Sequence, residues 1–451
     1  MEKKRTIARQ SLASTPRAGP SGEGSMETLP DDVVVEILVR VPDVADLFRC
    51  AATCKRCRIL IAEPSFLRRR WPEGVSHLSS LLGLFTVQQP REEPTEGDST
   101  AAPMPPFTPV PWCSLGERYS FLTCPCPPDS QAAVLTSRCG LLVLCFVPLN
   151  EPTNGHEKTM NLALYDPIAG KGRDLPELKS DRPFRIEGCA LLTRADCCPD
   201  ETRGAVAASF FKVLIIGGDR DEPRHNLHVF TSTGSSSSWS TPRGCYDSLE
   251  DDDTRVVSQQ TTAVVCHGGI AHWLFKNTSN LYVLSVCART TEMSLTRLPV
   301  TPDQTQPLLG VTNDGTPCLL RLDGKCIMLE IWTRRSDPIS GDCSNTERWH
   351  RTKMIELQRP ERGKIDQVQC VCVGQTSGIL LVKDNQEDVY IVDLQTGAME
   401  AVTNWFRGIL VMAIPFEMDW PEFFTRNLAN TRIERAKLGG VLYKNCWPFL
   451  G

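Results

Sequence analysis

Three short amphipathic segments between residues 29 and 61 constrain the fold of this chain more than any other feature of its sequence. In the first segment, apolar side chains recur at the spacing of one helical face; they are Val34, Ile37, Leu38 and Val41. The second segment has this spacing in Val44, Leu47, Phe48 and Ala51, and the third places Cys54, Cys57 and Ile61 on one side. Three helices of this length cannot enclose a stable core alone, so we expect an apolar face of the module to bind a partner.

The ends of these helices are marked by prolines and by capping residues. Pro30 stands where a helix needs no backbone N–H, and Pro42 forces the residue before it out of the helical conformation. Asp43 is the predicted N-cap of the second helix, and Thr53 is the predicted N-cap of the third. The sequence therefore predicts a compact three-helix module.

The same stretch resembles the F-box family. The family pattern contains Leu-Pro, two acidic residues, Glu-Ile-Leu, a second proline and a Cys-Lys-x-Trp sequence. The residues of this chain that match it are Leu29, Pro30, Asp32, Glu36, Ile37, Leu38, Pro42, Leu47, Cys54 and Lys55. Cys57 stands in place of the family's tryptophan, and in a packed site the smaller side chain removes roughly 1–3 kcal/mol of stabilisation. The resemblance implies that residues 26–70 bind a Skp-type adaptor.

Within this resemblance, ten residues are predicted to form the adaptor-binding site. They are Leu29, Pro30, Ile37, Leu38, Val41, Pro42, Leu47, Cys54, Cys57 and Ile61. Leu29 and Pro30 do not fit the helical stripe, so we expect them to contact a molecule outside the module. Some of the others must pack against each other inside the module. The sequence does not show which of them do so and which contact the partner.

From about residue 112 to residue 415 the apolar period changes from 3.6 to 2, which indicates short strands. Equivalent strands recur, at a spacing of roughly 50–60 residues, near Tyr165, Phe230, Leu284, Trp332 and Val392. Four strands in each repeat are typical of β-propeller blades. A sixth unit can be assembled from residues 78–125 and a C-terminal strand near residues 408–414. A pair of β-sandwiches is the alternative architecture.

We therefore predict an α+β multidomain chain in which the three-helix F-box precedes a mainly antiparallel all-β domain, a five- to six-bladed β-propeller. Residues 1–25 are predicted to be a disordered extension, because they are poor in apolar side chains and lack the core of a signal peptide. Residues 71–111 are predicted to be a connector with a proline-rich loop, and residues 416–451 a C-terminal tail.

Composition argues against several classes of function. A net charge of −5 without a large basic region argues against nucleic-acid binding, and no apolar run has the roughly 18 residues that would span a membrane. The 20 cysteines are expected to remain thiols. Only Cys54 and Cys57 have the two-residue gap of a zinc knuckle, and both thiols are expected to face the core of the module. We expect no metal or cofactor, and a location in the cytoplasm, the nucleus or both.

The order of an F-box and a degenerate propeller resembles plant F-box families with kelch-like repeats. The resemblance implies a non-catalytic substrate-recognition subunit of an SCF-type (Skp-cullin-F-box) E3 ubiquitin ligase. The F-box would bind the Skp-type adaptor and through it a cullin, and the propeller would bind an unidentified target for ubiquitin-dependent degradation. The alternatives are a non-ligase interaction scaffold and an enzyme that uses the propeller channel. The sequence contains no Gly-x-Ser-x-Gly, phosphate-loop or His-Glu-x-x-His motif for such an enzyme.

Overall fold

The structure of the protein is a computed structural model. The residues that it describes are 29–89, 106–113, 127, 130–148, 159–179, 184–197, 210–219, 225–232, 238–245, 257–258, 262–266, 268–277, 279–301, 306–323, 328–335, 348–358 and 368–434. The predicted extension at residues 1–25 and most of the proline-rich loop lie outside these residues. The described chain forms an N-terminal helical module, a six-bladed β-propeller and a C-terminal helix.

The helical module contains four short helices, α1 (Asp31–Val39), α2 (Val44–Thr53), α3 (Lys55–Ile61) and α4 (Pro64–Arg70), and the C-terminal helix is α5 (Trp420–Glu434). The predicted N-cap of α2 is confirmed, because Asp43 Oδ1 accepts a hydrogen bond from the backbone N–H of Ala45 at 2.9 Å. The prediction for α3 was wrong. Thr53 is the last residue of α2, and Cys54 Sγ accepts the bond from the N–H of Cys57 at 3.3 Å.

The six blades are antiparallel sheets. Blade 1 begins with β1 (Leu81–Gln89) and β2 (Phe107–Pro109). Blade 2 contains β3 (Ser130–Arg138), β4 (Leu141–Pro148), β5 (Thr159–Asp166), β6 (Lys171–Asp174) and β7 (Leu178–Lys179). Blade 3 contains β8 (Phe184–Thr193), β9 (Phe211–Asp219), β10 (Asn226–Thr231) and β11 (Arg243–Gly244). Blade 4 contains β12 (Val257–Ser258), β13 (Val264–Cys266), β14 (Ile270–Lys276), β15 (Leu281–Cys287) and β16 (Met293–Arg297). Blade 5 contains β17 (Leu308–Val311), β18 (Pro317–Asp323), β19 (Met328–Arg335) and β20 (Arg348–Glu356). Blade 6 contains β21 (Val368–Val373), β22 (Leu380–Asp384), β23 (Val389–Val392) and β24 (Met399–Ala401).

Blade 1 is completed by β25 (Ile409–Glu417), so both ends of the propeller sequence meet in one sheet. β25 pairs with β1 over a register that runs from Leu81 opposite Glu417 to Gln89 opposite Ile409. This pairing confirms the predicted composite blade and the six-bladed propeller, and the β-sandwich alternative was wrong. The strands at residues 81–89 and 107–109 lie in the segment that the sequence analysis assigned to the connector.

A continuous hydrophobic core joins the helical module, α5 and blade 1. The ring of Phe48 in α2 stacks on Phe424 of α5 with centroids 4.7 Å apart, and Trp71 stacks on Phe424 at 5.6 Å. The indole N–H of Trp420 donates to the carbonyl of Ser79, just before β1, at 2.8 Å. Residues 420–434 were assigned to a tail by the sequence analysis. In the structure they are a helix that packs against the helical module and the start of blade 1.

No helix in the described part of the chain is long and apolar enough to span a membrane.

Because two histidines of the propeller are buried, we expect the propeller to lose stability in mild acid. His228 and His272 are 5% and 1% exposed, and burial lowers the pKa of each imidazole to about 4. As the pH falls, the two imidazoles are therefore protonated in the unfolded chain before they are protonated in the folded chain. The stability that is present above pH 6.5 is lost as the pH falls towards 4. The expected loss is on the order of 2–3 kcal/mol for each histidine.

Melting temperatures measured between pH 7.5 and pH 4.5 would test this prediction. The melting temperature of a double variant with His228→Gln and His272→Gln should depend clearly less on pH than that of the natural chain, because the variant lacks the two imidazoles. The carboxylates elsewhere in the fold are the same in both proteins. Equal pH dependence in the two proteins would contradict the assignment of the acid sensitivity to these imidazoles.

Candidate adaptor-binding surface and propeller channel

The structure divides the ten predicted site residues by their exposure. Leu38, Leu47, Cys57 and Ile61 are each 1% exposed or less. Val41 is half-buried, and the exposed residues are Leu29, Pro30, Ile37, Pro42 and Cys54. The prediction that Ile37 shares a face with Val34 and Leu38 was wrong, because Ile37 points to solvent whereas the other two are in the core. The four buried residues can support a binding surface only from inside the module.

Exposed apolar residues of α1 and of the segment just before it lie on the surface of the module. Leu29, Val33 and Ile37 are 37%, 39% and 48% exposed. Val33 and Ile37 are four residues apart and lie on one side of α1, and Leu29 precedes the helix by two residues. Val33 was not among the ten predicted site residues. The signal was available in the three consecutive valines at residues 33–35, which make α1 apolar on two sides. We refer to Leu29, Val33 and Ile37 as the exposed stripe.

Arg56 at the start of α3 holds the beginning of this stripe in place. Its Nε donates to Asp31 Oδ1 at 2.7 Å, and its Nη2 donates to the carbonyl oxygen of Leu29. Exposed ion pairs contribute little to stability, so the effect of these bonds is mainly to position Leu29 against α3. Ile59, three residues further along α3 and therefore on the same side of that helix, is 38% exposed and adds apolar surface.

The two cysteines of the module have different roles. Cys54 is exposed, so the expectation that both thiols face the core was wrong. The backbone N–H of Cys57 lowers the pKa of the Cys54 thiol, whereas burial raises the pKa of Cys57 to about 11. Cys57 is therefore a neutral thiol that packs as a small apolar side chain. The absence of the family's tryptophan changes the interior of the module and not its exposed stripe.

The central channel of the propeller is divided by the side chain of Gln375, which follows β21. Its Nε2 donates to the carbonyl of Ala263 at 3.0 Å, and its Oε1 accepts from the N–H of Val265 at 3.3 Å, both in blade 4. The same oxygen accepts from Arg138 Nη1 of blade 2 at 2.8 Å. Arg138 also donates to Asp196 beside blade 3, through Nε at 2.9 Å. These side chains form a septum that separates two compartments, whose linings both include Gln375.

The compartment on the side of the helical module has a volume of 280 Å³. The segment between α4 and β1 lies against its wall, where Ser76 Oγ donates to Asn313 Oδ1 at 2.8 Å. The N–H of His77 in the same segment donates to the carbonyl of Thr376 at 3.1 Å. The chain itself therefore occupies part of this end of the channel.

Among the described residues, no group of three or more His, Cys, Asp or Glu side chains is placed to hold a metal ion.

Comparison with protein families identifies the helical module. Residues 26–71 match the F-box-like family, which confirms the resemblance drawn from the sequence. The chain therefore consists of an F-box-like domain followed by a six-bladed β-propeller. No curated protein matches the chain.

Several solved structures are similar to the propeller. An alpha-L-arabinanase of Penicillium chrysogenum complexed with arabinobiose is 10% identical over 61% of this chain and 81% of that chain, with a TM-score of 0.33. The Dos1 propeller is 11% identical over 62% of this chain and 58% of that chain, with a TM-score of 0.31. Apo AztD from Citrobacter koseri is 12% identical over 64% and 76% of the two chains, with a TM-score of 0.29. At these values the similarities carry no information about the activity or ligands of this chain.

Proposed function

We propose that this F-box and propeller protein is the substrate-recognition subunit of an SCF-type E3 ubiquitin ligase. F-box domains generally bind Skp-type adaptors, and in this proposal the adaptor connects the chain to a cullin. The propeller would hold a target protein for ubiquitination and degradation. The observation that carries the proposal is the exposed stripe on an F-box-like domain, since these side chains remain outside the core that the domain shares with α5 and blade 1.

The exposed stripe has the composition expected of the centre of a protein interface. Leu29, Val33 and Ile37 are exposed, apolar and uncharged, and a few anchors of this kind supply most of the binding energy of an interface. Asp31 and Arg56 border the stripe and would lie at the polar rim. Pro30 and Pro42 are exposed and remain predicted contacts, whereas Leu38, Leu47, Cys57 and Ile61 would support the surface from the core.

The contact of α5 with the helical module supports a positioning role. Phe424 packs on Phe48 and Trp71, and Trp420 bonds to Ser79, so the module is joined to blade 1 by a packed core. In the proposed complex this packing would hold the target at a set distance from the ubiquitin-charged enzyme. Such positioning raises the effective concentration of the target's lysines, so the chain needs no bond chemistry of its own.

The proposed role places the chain in the cytoplasm or the nucleus, where the other ligase subunits would have to be present. The kelch-like and plant-type character of the propeller stays a prediction.

Co-expression of the full chain with a Skp-type adaptor would test the proposal. We expect a stoichiometric complex by size-exclusion chromatography with light scattering, and a ternary complex after the N-terminal part of a cullin is added. The full chain eluting without the adaptor, while its thermal unfolding shows a folded protein, would contradict the proposal.

A further inference from the structure

The compartment of the propeller channel on the side away from the helical module is the larger of the two compartments that Gln375 lines. Its volume is 590 Å³, within the range of about 300–1,000 Å³ that is usual for ligand sites. It is lined by the starts of the inner strands of blades 3 to 5, by β21 of blade 6 and by the first part of β25. Val264, Val371, Val411 and Met412 give it apolar walls, and Val411 is 50% exposed. An apolar side chain that is half-exposed beside a cavity is available to a ligand.

The charged side chains of this compartment neutralise each other. Arg185 Nε lies 2.9 Å from Glu187 Oε1. Lys383 Nζ lies 2.7 Å from Glu387 Oε2 and donates to the carbonyl of Leu410 at 3.2 Å. Each cation is therefore matched by a carboxylate. A phosphate group or another dianion requires an excess of arginine or lysine, which the described residues of these walls do not offer.

The floor of the compartment is also neutral. Gln375 uses its Nε2 and Oε1 in bonds to blade 4 and to Arg138, and the charge of Arg138 is matched by Asp196. The floor therefore presents a satisfied amide and no free charge to a ligand. At the other end of the channel, the segment containing Ser76 and His77 already lies against the wall. We therefore expect a target to bind at the end of the channel away from the helical module.

We propose that this compartment binds a short unphosphorylated segment of the target, which inserts an uncharged apolar side chain between Val411, Met412 and Val371. The inference rests on the proposed function in naming a target as the source of the segment. It goes further in stating the chemistry of the segment and in placing it at one end of the channel.

Two sets of synthetic peptides would test the inference. Both sets have the same randomised flanks of small polar residues, and the central residue is Leu, Val or Met in one set and phosphoserine in the other. Binding to the full chain is measured by fluorescence polarisation, with and without the Skp-type adaptor. We expect the apolar set to bind, and the Val411→Arg variant to weaken that binding at least tenfold. Met354→Arg is the matched control, because Met354 is 47% exposed on β20, the outer strand of blade 5.

Each result decides the inference. It would be overturned by stronger binding of the phosphoserine set, by binding of neither set, or by equal binding to the Val411→Arg and natural chains. A Val411→Arg protein that melts like the Met354→Arg protein shows that the fold is intact. Apolar peptides that bind a chain which forms no adaptor complex would support the compartment and contradict the proposed ligase role.

Discussion

Replacement of Phe424 by alanine is expected to destabilise the helical module by about 3–5 kcal/mol, the usual range for truncation of a buried aromatic side chain. Phe424 is fully buried, stacks on Phe48 and Trp71, and contacts Trp420 in the same helix. Loss of this ring leaves a cavity between three aromatic side chains that α5 cannot fill by a small movement. The amides of α2, α3 and α4 should therefore exchange with solvent about a hundredfold faster or more, which hydrogen–deuterium exchange would measure.

The neighbouring Phe423 provides a matched control for this experiment. It has the same side chain and also contacts Phe48, at 5.7 Å, but it is only partly buried. Phe423→Ala should therefore have a clearly smaller effect than Phe424→Ala. Equal exchange rates in the two variants, or unchanged exchange in the Phe424 variant, would contradict the view that α5 is part of the core of the module. Strands of blades 3 and 4 should keep their protection in both variants, because their core is a separate cluster.

Replacement of Ile37 by aspartate is expected to weaken binding to a Skp-type adaptor by about a hundredfold or more, equivalent to roughly 3 kcal/mol. Ile37 is 48% exposed on the exposed stripe, so the free chain tolerates a charge there. In the proposed complex the same charge would be buried among apolar side chains without a partner, which is strongly unfavourable. Isothermal titration of the adaptor into the purified full chain would measure the change.

Val75→Asp is the control for Ile37→Asp, because Val75 is 52% exposed and lies outside the helical module, between α4 and β1. We expect this variant to bind the adaptor with nearly the natural affinity. A Val33→Asp variant should behave like Ile37→Asp, since both residues lie on the exposed stripe. Natural affinity in the Ile37→Asp protein would exclude the stripe as the adaptor-binding surface.

The two predictions concern different faces of one module. Ile37 acts at the outer surface of α1, whereas Phe424 acts through the packing of α5 beneath α2 and α4. A chain that lacks α5 would therefore present the same apolar stripe on a less stable support. The reduced adaptor binding of such a chain would be restored in part by lower temperature, whereas that of Ile37→Asp would not.

Local patterns in the sequence were enough to predict much of this architecture. The 3.6-residue period and the F-box motif identified the helical module, and Asp43 was recognised as a cap because an N-cap depends only on its neighbours. The change to a period of 2, with strands recurring near Tyr165, Phe230 and Leu284, predicted the blades. The composite blade was predicted by assembling a sixth unit from residues 78–125 and the apolar run near residues 408–414.

The division of the binding surface required the tertiary structure. Periodicity assigned Val34 and Ile37 to one face, but α1 is apolar on two sides, and only its contacts with α3 and α4 decide which side is buried. Val33 was missed for the same reason. The role of α5 could not be read from residues 420–434, because its partners Phe48 and Trp71 lie more than three hundred residues earlier in the chain. The septum at Gln375 likewise depends on side chains from blades 2, 3 and 6 and on backbone groups of blade 4, which meet only when the ring closes. The sequence by itself determined helices α1 to α3 and the recurring strands of the blades, because these depend on neighbouring residues. The packing of α5, the exposed stripe and the two compartments depend on contacts between distant residues and were decided by the fold.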